Sequence, residues 1–294
     1  MKNYFGPLLT AMVTPFDEEG EIDFSKANQL ANKLKMESSD GVVLSGTTGE
    51  SPTLAKEEKL KLFETVAQNT NGIDVIAGTG SNCTKESIEL TQEAEKCGVN
   101  GIMLVVPYYN KPPQEGLYKH FRNIADATSL PVILYDVPGR TGASLSLDTI
   151  IKLSKIDNIV ALKDATKDLE HTTAICNEVS DDFSVYSGDD AVTLPLLSVG
   201  GYGVISVVSH LKGDAMKEII KGFHYGDREK ASEKFRRLFP LFKAMFLEPN
   251  PIPVKEALNM IGFNAGKPRL PLVEMSETKK GNLNQTLQEY GLLN

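Results

Sequence analysis

The sequence predicts an α/β protein, a (β/α)8 barrel followed by a C-terminal helical appendage. Short apolar runs bounded by turn residues recur along the first two thirds of the chain, and most of the segments between them have helical periodicity. The apolar runs stop near residue 224. Eight alternations of strand and helix favour a parallel sheet that closes on itself. We therefore predict a barrel domain over residues 1–224 and a helical domain over residues 225–294.

The predicted strands are apolar runs of strand length. They cover Pro7–Val13, Gly41–Ser45, Asp74–Gly78, Gly101–Val106, Pro131–Tyr135, Ile159–Lys163, Phe183–Ser187 and Gly203–Val208. An open doubly wound sheet is the alternative, and it usually carries a glycine-rich nucleotide fingerprint. Gly78-Thr79-Gly80 begins such a fingerprint, but Cys83 stands where its third glycine belongs. The closed barrel is therefore the better prediction.

The segments between the strands predict helices of unequal clarity. One helix is predicted over Glu57–Gln68, with an apolar face formed by Leu60, Phe63, Val66 and Ala67. A second is predicted over Glu86–Cys97, where the apolar stripe is weaker. Ser146–Asp148 and Thr166–Asp168 supply N-cap side chains for the helices that follow them.

The C-terminal part of the chain has helical periodicity but no strand signal. Its predicted helices cover Asp227–Leu247, Val254–Ile261 and Thr278–Tyr290. Between the first two lies Glu248–Pro253, in which proline alternates with other residues. Proline cannot continue a helix and restricts the residue before it, so this segment separates two helices.

Composition excludes several classes of function. The net charge is −8, from 39 acidic and 31 basic residues, whereas general nucleic-acid binding needs a basic surface. The 3 cysteines and 4 histidines are scattered, so we expect no disulfide framework, no metal site and no cofactor. The N-terminus lacks a signal-peptide pattern, and no apolar stretch has the length of a membrane span. We expect a cytoplasmic protein that binds neither nucleic acid nor membrane.

Polar side chains follow several predicted strands, at the ends where barrel enzymes carry their catalytic groups. They include Thr47, Thr48, Tyr108, Tyr109, Tyr135, Arg140 and Lys163. Together they would place a lysine, several phenols, two threonine hydroxyls and an arginine at one mouth of the barrel.

Lys163 is the most informative of these residues, because it closes the buried run Ile159–Leu162. Burial removes water from an ammonium group and lowers its pKa, so the neutral amine becomes available. A neutral amine at a strand end can attack a carbonyl and form a Schiff base. The alternative is a lysine whose ammonium simply extends from the strand end into solvent. A nearby Tyr135 hydroxyl and Arg140 charge would also tune this amine.

The other strand-end residues also have two interpretations each. The turn Gly46-Thr47-Thr48-Gly49 could hold a carboxylate with its backbone N–H groups, or it could be an ordinary connection. Tyr135 could act on a substrate, or it could satisfy its hydroxyl locally in the core. Arg140 could clamp a substrate carboxylate, or it could be a solvated surface charge.

A phosphate-binding barrel is a rival function, since such barrels use glycine-rich loops after strands 7 and 8. Here the loop after the seventh strand carries Asp189-Asp190, which would repel phosphate. Gly200-Gly201 precedes the eighth strand and so belongs to the opposite face. We therefore disfavour phosphate binding.

Several motifs occur in one order over nearly the whole chain. They are Gly46-Thr47-Thr48-Gly49-Glu50-Ser51, Ala77-Gly78-Thr79-Gly80, Pro107-Tyr108-Tyr109-Asn110-Lys111-Pro112, Leu134-Tyr135-Asp136-Val137-Pro138, Arg140-Thr141-Gly142, Leu162-Lys163-Asp164-Ala165-Thr166, Tyr186-Ser187-Gly188-Asp189-Asp190 and Asn250-Pro251-Ile252-Pro253-Val254-Lys255. With these motifs the chain resembles the dihydrodipicolinate synthase family of class I pyruvate-dependent lyases. The resemblance implies condensation of pyruvate with L-aspartate 4-semialdehyde, the first committed step of the diaminopimelate route to lysine.

The resemblance also implies roles for individual residues. Lys163 would form the Schiff base with pyruvate, and Tyr135 would donate and accept protons. Thr47 would link Tyr135 to Tyr109 in a proton relay, and the tyrosine matching Tyr109 reaches a neighbouring subunit's site in the family. The substrate-binding residues would be Thr48, Ile205, Arg140 and Gly188.

Two related enzyme activities also use a Schiff base with lysine. A third alternative is a binding protein without catalytic activity. In N-acetylneuraminate lyases, the turn similar to Gly46–Gly49 has serine at the position of Thr47. Those enzymes also lack an arginine matching Arg140. The 2-keto-3-deoxy acid aldolases depart from the pattern Val137-Pro138-Gly139-Arg140-Thr141-Gly142. A barrel that only binds pyruvate or an amino acid would not need Lys163, Tyr135 and the relay. These features favour the synthase.

The resemblance extends to assembly and regulation. Homotetramers built as dimers of dimers are usual in the family, although dimers also occur, so we expect self-association. Lysine-inhibited members bind lysine through residues matching Asn82, Glu86 and Tyr108, which this chain retains. Two histidines of those members are Lys56 and Lys59 here. Extra positive charge beside a cationic effector weakens its binding, so we predict weak or absent inhibition by lysine.

Overall fold

The computed structural model describes residues 4–293, whose strands form a closed parallel barrel in chain order. The strands are β1 (Leu8–Ala11), β2 (Gly41–Leu44), β3 (Asp74–Gly78), β4 (Gly101–Val105), β5 (Val132–Asp136), β6 (Ile159–Asp164), β7 (Ser184–Ser187) and β8 (Gly203–Ser206). Each strand pairs in parallel with the next, and β8 pairs with β1. The predicted (β/α)8 fold is confirmed.

The helices lie between the strands and after the last strand. They are α1 (Phe24–Met36), α2 (Lys56–Asn69), α3 (Thr84–Lys96), α4 (Gln114–Ala125), α5 (Pro138–Thr141), α6 (Leu147–Leu153), α7 (Leu169–Glu178), α8 (Thr193–Ser198), α9 (Ser209–His224), α10 (Arg228–Ala244), α11 (Ile252–Met260) and α12 (Glu277–Glu289). Short 3-10 turns cover Ser51–Thr53 and Asp190–Val192. The predicted helices are present, with ends shifted by a few residues.

Some strands end earlier than predicted because side chains take their hydrogen bonds. The eighth strand was predicted to reach Val208, but the backbone N–H groups of Val207 and Val208 both donate to Asp190 Oδ2 at 3.0 Å. The first strand was predicted to reach Val13, whose N–H donates to Nε2 of the buried His210 at 3.2 Å. In both places a polar side chain replaces the neighbouring strand as the hydrogen-bond partner.

The buried apolar side chains form two layers, because alternate residues of a strand point to opposite faces. The inner layer fills the barrel and includes Leu9, Val43, Ile76, Met103, Ile133, Tyr135, Ala161, Tyr186 and Ile205. The outer layer lies between strands and helices, where Leu104, Leu134 and Leu162 pack. Tyr135 therefore points into the barrel, one of the two directions that its strand position allowed.

Local sequence signals explain where several helices begin and how they pack. Ser146 Oγ accepts the N–H of Thr149 at the start of α6, and Asp168 Oδ1 accepts the N–H of His171 at the start of α7. Both predicted N-cap segments are thus confirmed. The apolar face of α2 was only partly right, because the fully buried residues are Leu62, Phe63 and Val66, while Leu60 and Ala67 are half-buried.

The C-terminal helices pack on the barrel's own last helix. Helix α10 contacts α9 and α12, and α11 contacts α9 and α12. The predicted break between α10 and α11 is present, but it is shorter than Glu248–Pro253, because Ile252 and Pro253 already form the first turn of α11, where proline is tolerated. Helix α9 ends at His224, but the division into two domains at that residue stays a prediction. No helix within residues 4–293 is long and apolar enough to cross a membrane.

A buried ion pair joins the C-terminal helices to the loop after β2. Lys255 Nζ donates to Glu50 Oε1 at 2.9 Å, and the two side chains are 1% and 0% exposed. The remaining groups are also satisfied, since Arg269 N–H donates to Glu50 Oε2 and Lys255 Nζ donates to the Lys267 carbonyl. Removing one member of such a pair leaves an uncompensated charge in the interior.

We therefore expect Lys255→Met to lower the free energy of unfolding by about 3–5 kcal/mol, the usual effect of breaking a buried pair. The measurement is a urea-unfolding curve, and adding Glu50→Gln should restore part of the loss. The control is Lys119→Met, which removes an exposed pair with Glu115 and should leave the unfolding midpoint in place. Equal shifts for Lys255→Met and Lys119→Met would contradict the argument.

Candidate active site

Lys163 lies near the end of β6 and points into the barrel. It is two residues after the inward-facing Ala161 and is 5% exposed. Strand pairing sets Lys163 beside Tyr135 of β5, and Nζ lies 4.2 Å from the centre of the Tyr135 ring. The lysine is thus an interior residue, and the alternative of an ammonium extending into solvent is wrong.

Burial lowers the pKa of Lys163 from its ordinary 10.5 to about 7. The charge of Arg140 lowers this pKa further, while the buried carboxylate of Asp190 opposes both effects. Burial is the largest cause, so the sequence argument from the apolar strand was sound. A substantial fraction of the amine is neutral at neutral pH and can act as a nucleophile.

The Tyr135 phenol is buried beside this amine. Burial raises the pKa of Tyr135, while a hydrogen bond with Thr47 and the charge of Arg140 lower it. The net pKa stays above the ordinary value, so the phenol keeps its proton at neutral pH. It can therefore donate a proton to a reacting group next to Lys163.

The loop after β2 has backbone groups that are free to bind an anion. Ser45 and Glu50, at its two ends, have positive φ angles of 53° and 56°. Between them, no acceptor among the described residues takes the backbone N–H of Thr47 or Thr48. Successive free N–H groups in a turn form a concave anion site, which suits a carboxylate. These N–H groups are therefore available to a ligand, and carboxylate binding at the turn stays a prediction.

Gly188 and Ile205 belong to the two barrel strands that follow β6 in the chain, the first just after β7 and the second within β8. Gly188 follows β7 and donates its N–H to the Asp164 carbonyl at 2.6 Å. A Cβ at Gly188 would lie 2.6 Å from Ala165 Cβ, so only glycine permits this approach. Ile205 is a buried interior residue of β8. β7 pairs with the strand that carries Lys163, whereas β8 lies one strand farther round the barrel.

Arg140 lies on the short helix α5, immediately after β5. Its side chain is exposed on one side, and Nη2 donates to the Asn250 carbonyl at 3.4 Å. Arg140 also influences the pKa of both Lys163 and Tyr135. It is therefore close to the reacting groups, and the alternative of a purely solvated charge is wrong.

Tyr109 is placed differently from the other predicted site residues. Its side chain is 90% exposed and its φ is 72°. Its neighbours hold the backbone in place, since Asn82 Nδ2 donates to the Tyr108 carbonyl and Asn110 Nδ2 donates to the Asn82 carbonyl. Within the described chain, no hydrogen bond joins Tyr109 to Thr47.

A cavity of about 580 Å³ opens beside the site and extends away from it. Its lining includes the predicted catalytic and substrate-binding residues Thr47, Tyr135 and Arg140. It also includes the predicted effector residues Lys56, Lys59, Glu86 and Tyr108. Lys163 does not line this cavity, but its Nζ lies against the ring of Tyr135, which does. The two predicted sites are therefore connected through one space.

Sequence reasoning missed the contributions of Asp190 and Asn250. Asp190 is buried and accepts hydrogen bonds from Ser206 Oγ and from two backbone N–H groups that follow β8. Asn250 is also buried and donates to Thr48 Oγ1 at 2.8 Å. Both residues belong to the motifs noted in the sequence, but nothing in their spacing indicates which side chain they contact.

Metal-ligating residues do not cluster in the described part of the chain. Among residues 4–293, no group of three or more histidine, cysteine, aspartate or glutamate side chains has the spacing to hold a metal ion. The titratable groups around Lys163 are instead a phenol, a guanidinium and a carboxylate. These groups suit proton transfer and carbonyl chemistry.

Comparison with known proteins assigns the chain to a family. The model of the "Dihydrodipicolinate synthetase family", abbreviated DHDPS, matches residues 4–290. The chain belongs to this family. A 4-hydroxy-tetrahydrodipicolinate synthase of Moorella thermoacetica is 53% identical over 290 residues, which cover 98% of this chain and 99% of that protein.

Solved structures of the family agree with the observed fold. The dihydrodipicolinate synthase of Bacillus anthracis has a TM-score of 0.95 and 48% identity, and the match covers 98% of this chain and 99% of that one. The DHDPS of Cyanidioschyzon merolae, solved with lysine bound, has a TM-score of 0.98 and 46% identity, over 99% and 100% of the two chains. The resemblance stated from the motifs is therefore confirmed.

The lowered pKa of Lys163 predicts how its reactivity depends on pH. Only the neutral amine attacks a carbonyl, so the initial rate of imine formation should rise as pH increases from 6 to 8, with a midpoint near 7. The measurement is the initial rate of borohydride-trapped mass on the Lys163 peptide at limiting pyruvate. The exposed Lys167 serves as the control, because its ammonium pairs with Asp189 and its peptide should gain no pyruvate mass under these conditions. A Lys163 rate that stays low up to pH 9 would contradict the assignment.

Proposed function

We propose that this chain is a lyase of the class I aldolase type that condenses pyruvate with L-aspartate 4-semialdehyde, as a 4-hydroxy-tetrahydrodipicolinate synthase. One observation carries the proposal: a buried lysine amine with a pKa near 7 lies against a protonated phenol at the carboxyl end of a barrel strand. Family membership and the names of the relatives support the same activity.

The reaction begins at the Lys163 amine. Neutral Nζ attacks the ketone carbon of pyruvate, and the resulting hydroxyl leaves as water after Tyr135 supplies a proton. The product is a protonated imine between Nζ and pyruvate, beside the Tyr135 phenolate. Loss of a proton from the methyl carbon, taken up by the Tyr135 phenolate, gives an enamine. This sequence returns Tyr135 to its protonated form.

The enamine then forms the new carbon–carbon bond. Its terminal carbon attacks the aldehyde carbon of L-aspartate 4-semialdehyde, and the aldehyde oxygen takes a proton from the relay that Tyr135 and Thr47 form. The amino group of the second substrate next attacks the imine carbon and displaces Nζ. This transimination closes the ring and frees Lys163 for another cycle.

Substrate carboxylates have two separate positions in this scheme. The free N–H groups of Thr47 and Thr48, with the Thr48 hydroxyl, hold the pyruvate carboxylate. The backbones at Gly188 and Ile205 border the same position. Arg140 binds the carboxylate of the semialdehyde, since it lies on the open side of the site and lines the cavity. A guanidinium suits this task because it binds carboxylates bidentately.

A second copy of the chain completes the relay. Tyr109 is a largely exposed tyrosine whose backbone is fixed by bonds of its neighbours with Asn82. An exposed aromatic residue held in this way is suited to insert into a partner's site. We expect Tyr109 to serve the neighbouring subunit within a homotetramer built as a dimer of dimers.

The trapping test uses pyruvate and sodium borohydride on the whole protein. Borohydride reduces the imine to a stable secondary amine, so the Lys163 peptide should gain the mass of a reduced pyruvate adduct. Lys163→Arg should abolish this gain, because a guanidinium stays protonated. The matched control is Lys167→Arg, since Lys167 is an exposed lysine in the loop after the same strand. Trapping on another lysine, or none at all, would refute the Schiff-base mechanism.

The choice of second substrate needs its own assay. With pyruvate present, L-aspartate 4-semialdehyde should be consumed at least about 100-fold faster, in kcat/KM, than N-acetylmannosamine or a sugar aldehyde. This preference reflects the Arg140 contact with a carboxylate, which those aldehydes lack. Arg140→Gln should remove most of the preference, while the Lys163 peptide should still be trapped at saturating pyruvate. Faster turnover of a sugar aldehyde would favour the aldolase alternative.

Regulation by lysine is proposed to be weak because the cavity already holds internal cations. Lys59 is half-buried near Glu86, and burial lowers the pKa of Lys59 while the charge of Glu86 raises it. The Glu86 carboxylate, which would take the effector's ammonium, thus already interacts with a lysine. Lys56 lines the same cavity and forms an ion pair with Glu93 at 2.6 Å.

Lysine should therefore give no inhibition at sub-millimolar concentration. The double substitution Lys56→His and Lys59→His removes two cationic side chains at neutral pH and should increase lysine sensitivity by about tenfold, if each charge contributes under ~1 kcal/mol. The control is Lys61→His on the same helix, where the ammonium packs over Phe24 rather than facing the cavity. Strong inhibition of the unmodified protein, or equal gains for all variants, would contradict this explanation.

A further inference from the structure

Asn250 makes one side-chain hydrogen bond, and that bond leads directly to the candidate substrate site. Its Nδ2 donates to Thr48 Oγ1 at 2.8 Å, and both side chains are buried. Its backbone carbonyl accepts from Arg140 Nη2. A single residue of the segment between α10 and α11 thus contacts the groups proposed to hold the two substrate carboxylates.

The direction of the bond to Thr48 determines what the threonine can do. A hydroxyl group has one hydrogen to donate and lone pairs that accept. Because Asn250 Nδ2 is a donor, it occupies an acceptor position of Thr48 Oγ1 and leaves the hydroxyl hydrogen unused. That hydrogen is then available for an acceptor such as a carboxylate, next to the free N–H groups of Thr47 and Thr48.

The oxygen of the Asn250 side-chain amide makes no hydrogen bond that would stabilise the fold. Oδ1 is buried and has no hydrogen-bond partner among the described residues. A buried acceptor without a partner costs stability, so this asparagine is a poor choice for packing alone. The backbone around it is nevertheless well anchored, because Lys255, on the helix that follows, forms the buried ion pair with Glu50 of the Thr48 loop.

We infer that Asn250 is a positioning residue that fixes the Thr48 hydroxyl as a hydrogen-bond donor to the carboxylate of the keto acid. This inference rests on the proposed function, since it takes pyruvate as the ligand of the loop after β2. It adds that the C-terminal helical part of the chain contributes to substrate binding. The effect is on pyruvate affinity rather than on the Lys163 amine, which Asn250 does not contact.

The test measures the pyruvate concentration that gives half-maximal borohydride trapping, by intact mass. Asn250→Ala should raise this midpoint about tenfold, the size expected when one hydrogen bond to a charged group is weakened. The amount trapped at saturating pyruvate should stay equal to that of the unmodified protein. An unchanged midpoint would overturn the inference. Absence of trapping in the unmodified protein would instead overturn the proposed function itself.

Asn259 provides a matched control within the same C-terminal part. Its Nδ2 donates to the Gly266 carbonyl at 3.1 Å, and its Oδ1 is also buried without a partner. Asn259→Ala therefore removes the same kind of bond away from the site, and its pyruvate midpoint should not move. An equal shift for Asn259→Ala and Asn250→Ala would show a general loss of structure and overturn the inference.

Two further variants keep the test decisive if Asn250→Ala does not fold. Asn250→Asp preserves shape but accepts rather than donates and adds a negative charge, so its midpoint should rise by more than tenfold. In a Thr48→Val background, Asn250→Ala should cause no additional shift, because the group through which it acts is gone. A further shift in that background would mean that Asn250 acts by another route.

Discussion

The desolvation of one lysine amine is the interaction on which the candidate site depends. Lys163 points into a closed barrel and is buried there. Its amine lies among the other inward-facing side chains. The pKa near 7 follows mainly from that burial. Tyr135 and Asp190 are arranged around the same point, one as a neutral proton donor and the other as a buried anion that limits the fall in pKa.

The C-terminal helices belong to the site as much as to the scaffold. They contact the loop after β2 at two places, through the buried pair of Lys255 with Glu50 and through the bond from Asn250 to Thr48. That loop has left-handed residues at both ends, a conformation that needs support from its surroundings. The two contacts from the C-terminal part of the chain supply part of that support.

One cavity joins the predicted catalytic and effector residues, which gives a physical route between them. Tyr135 and Thr47 border it near the barrel axis, while Lys59 and Glu86 border it farther out. A cation in the outer part therefore changes the electrostatics of a space that reaches the Tyr135 phenol. Lys56 and Lys59 of this chain already place positive charge in that cavity.

The sequence by itself determined the fold class, the strand positions and the residues at the strand ends, because these depend on local periodicity and on the rule that parallel barrels expose the carboxyl ends of their strands together. It also identified Lys163, since a lysine within a buried strand is detectable from its neighbours. Tertiary structure alone decided that Asp190 opposes the pKa shift, that Asn250 contacts Thr48 and that Tyr109 is exposed. Those facts depend on contacts between residues far apart in the chain, and no local pattern encodes such contacts.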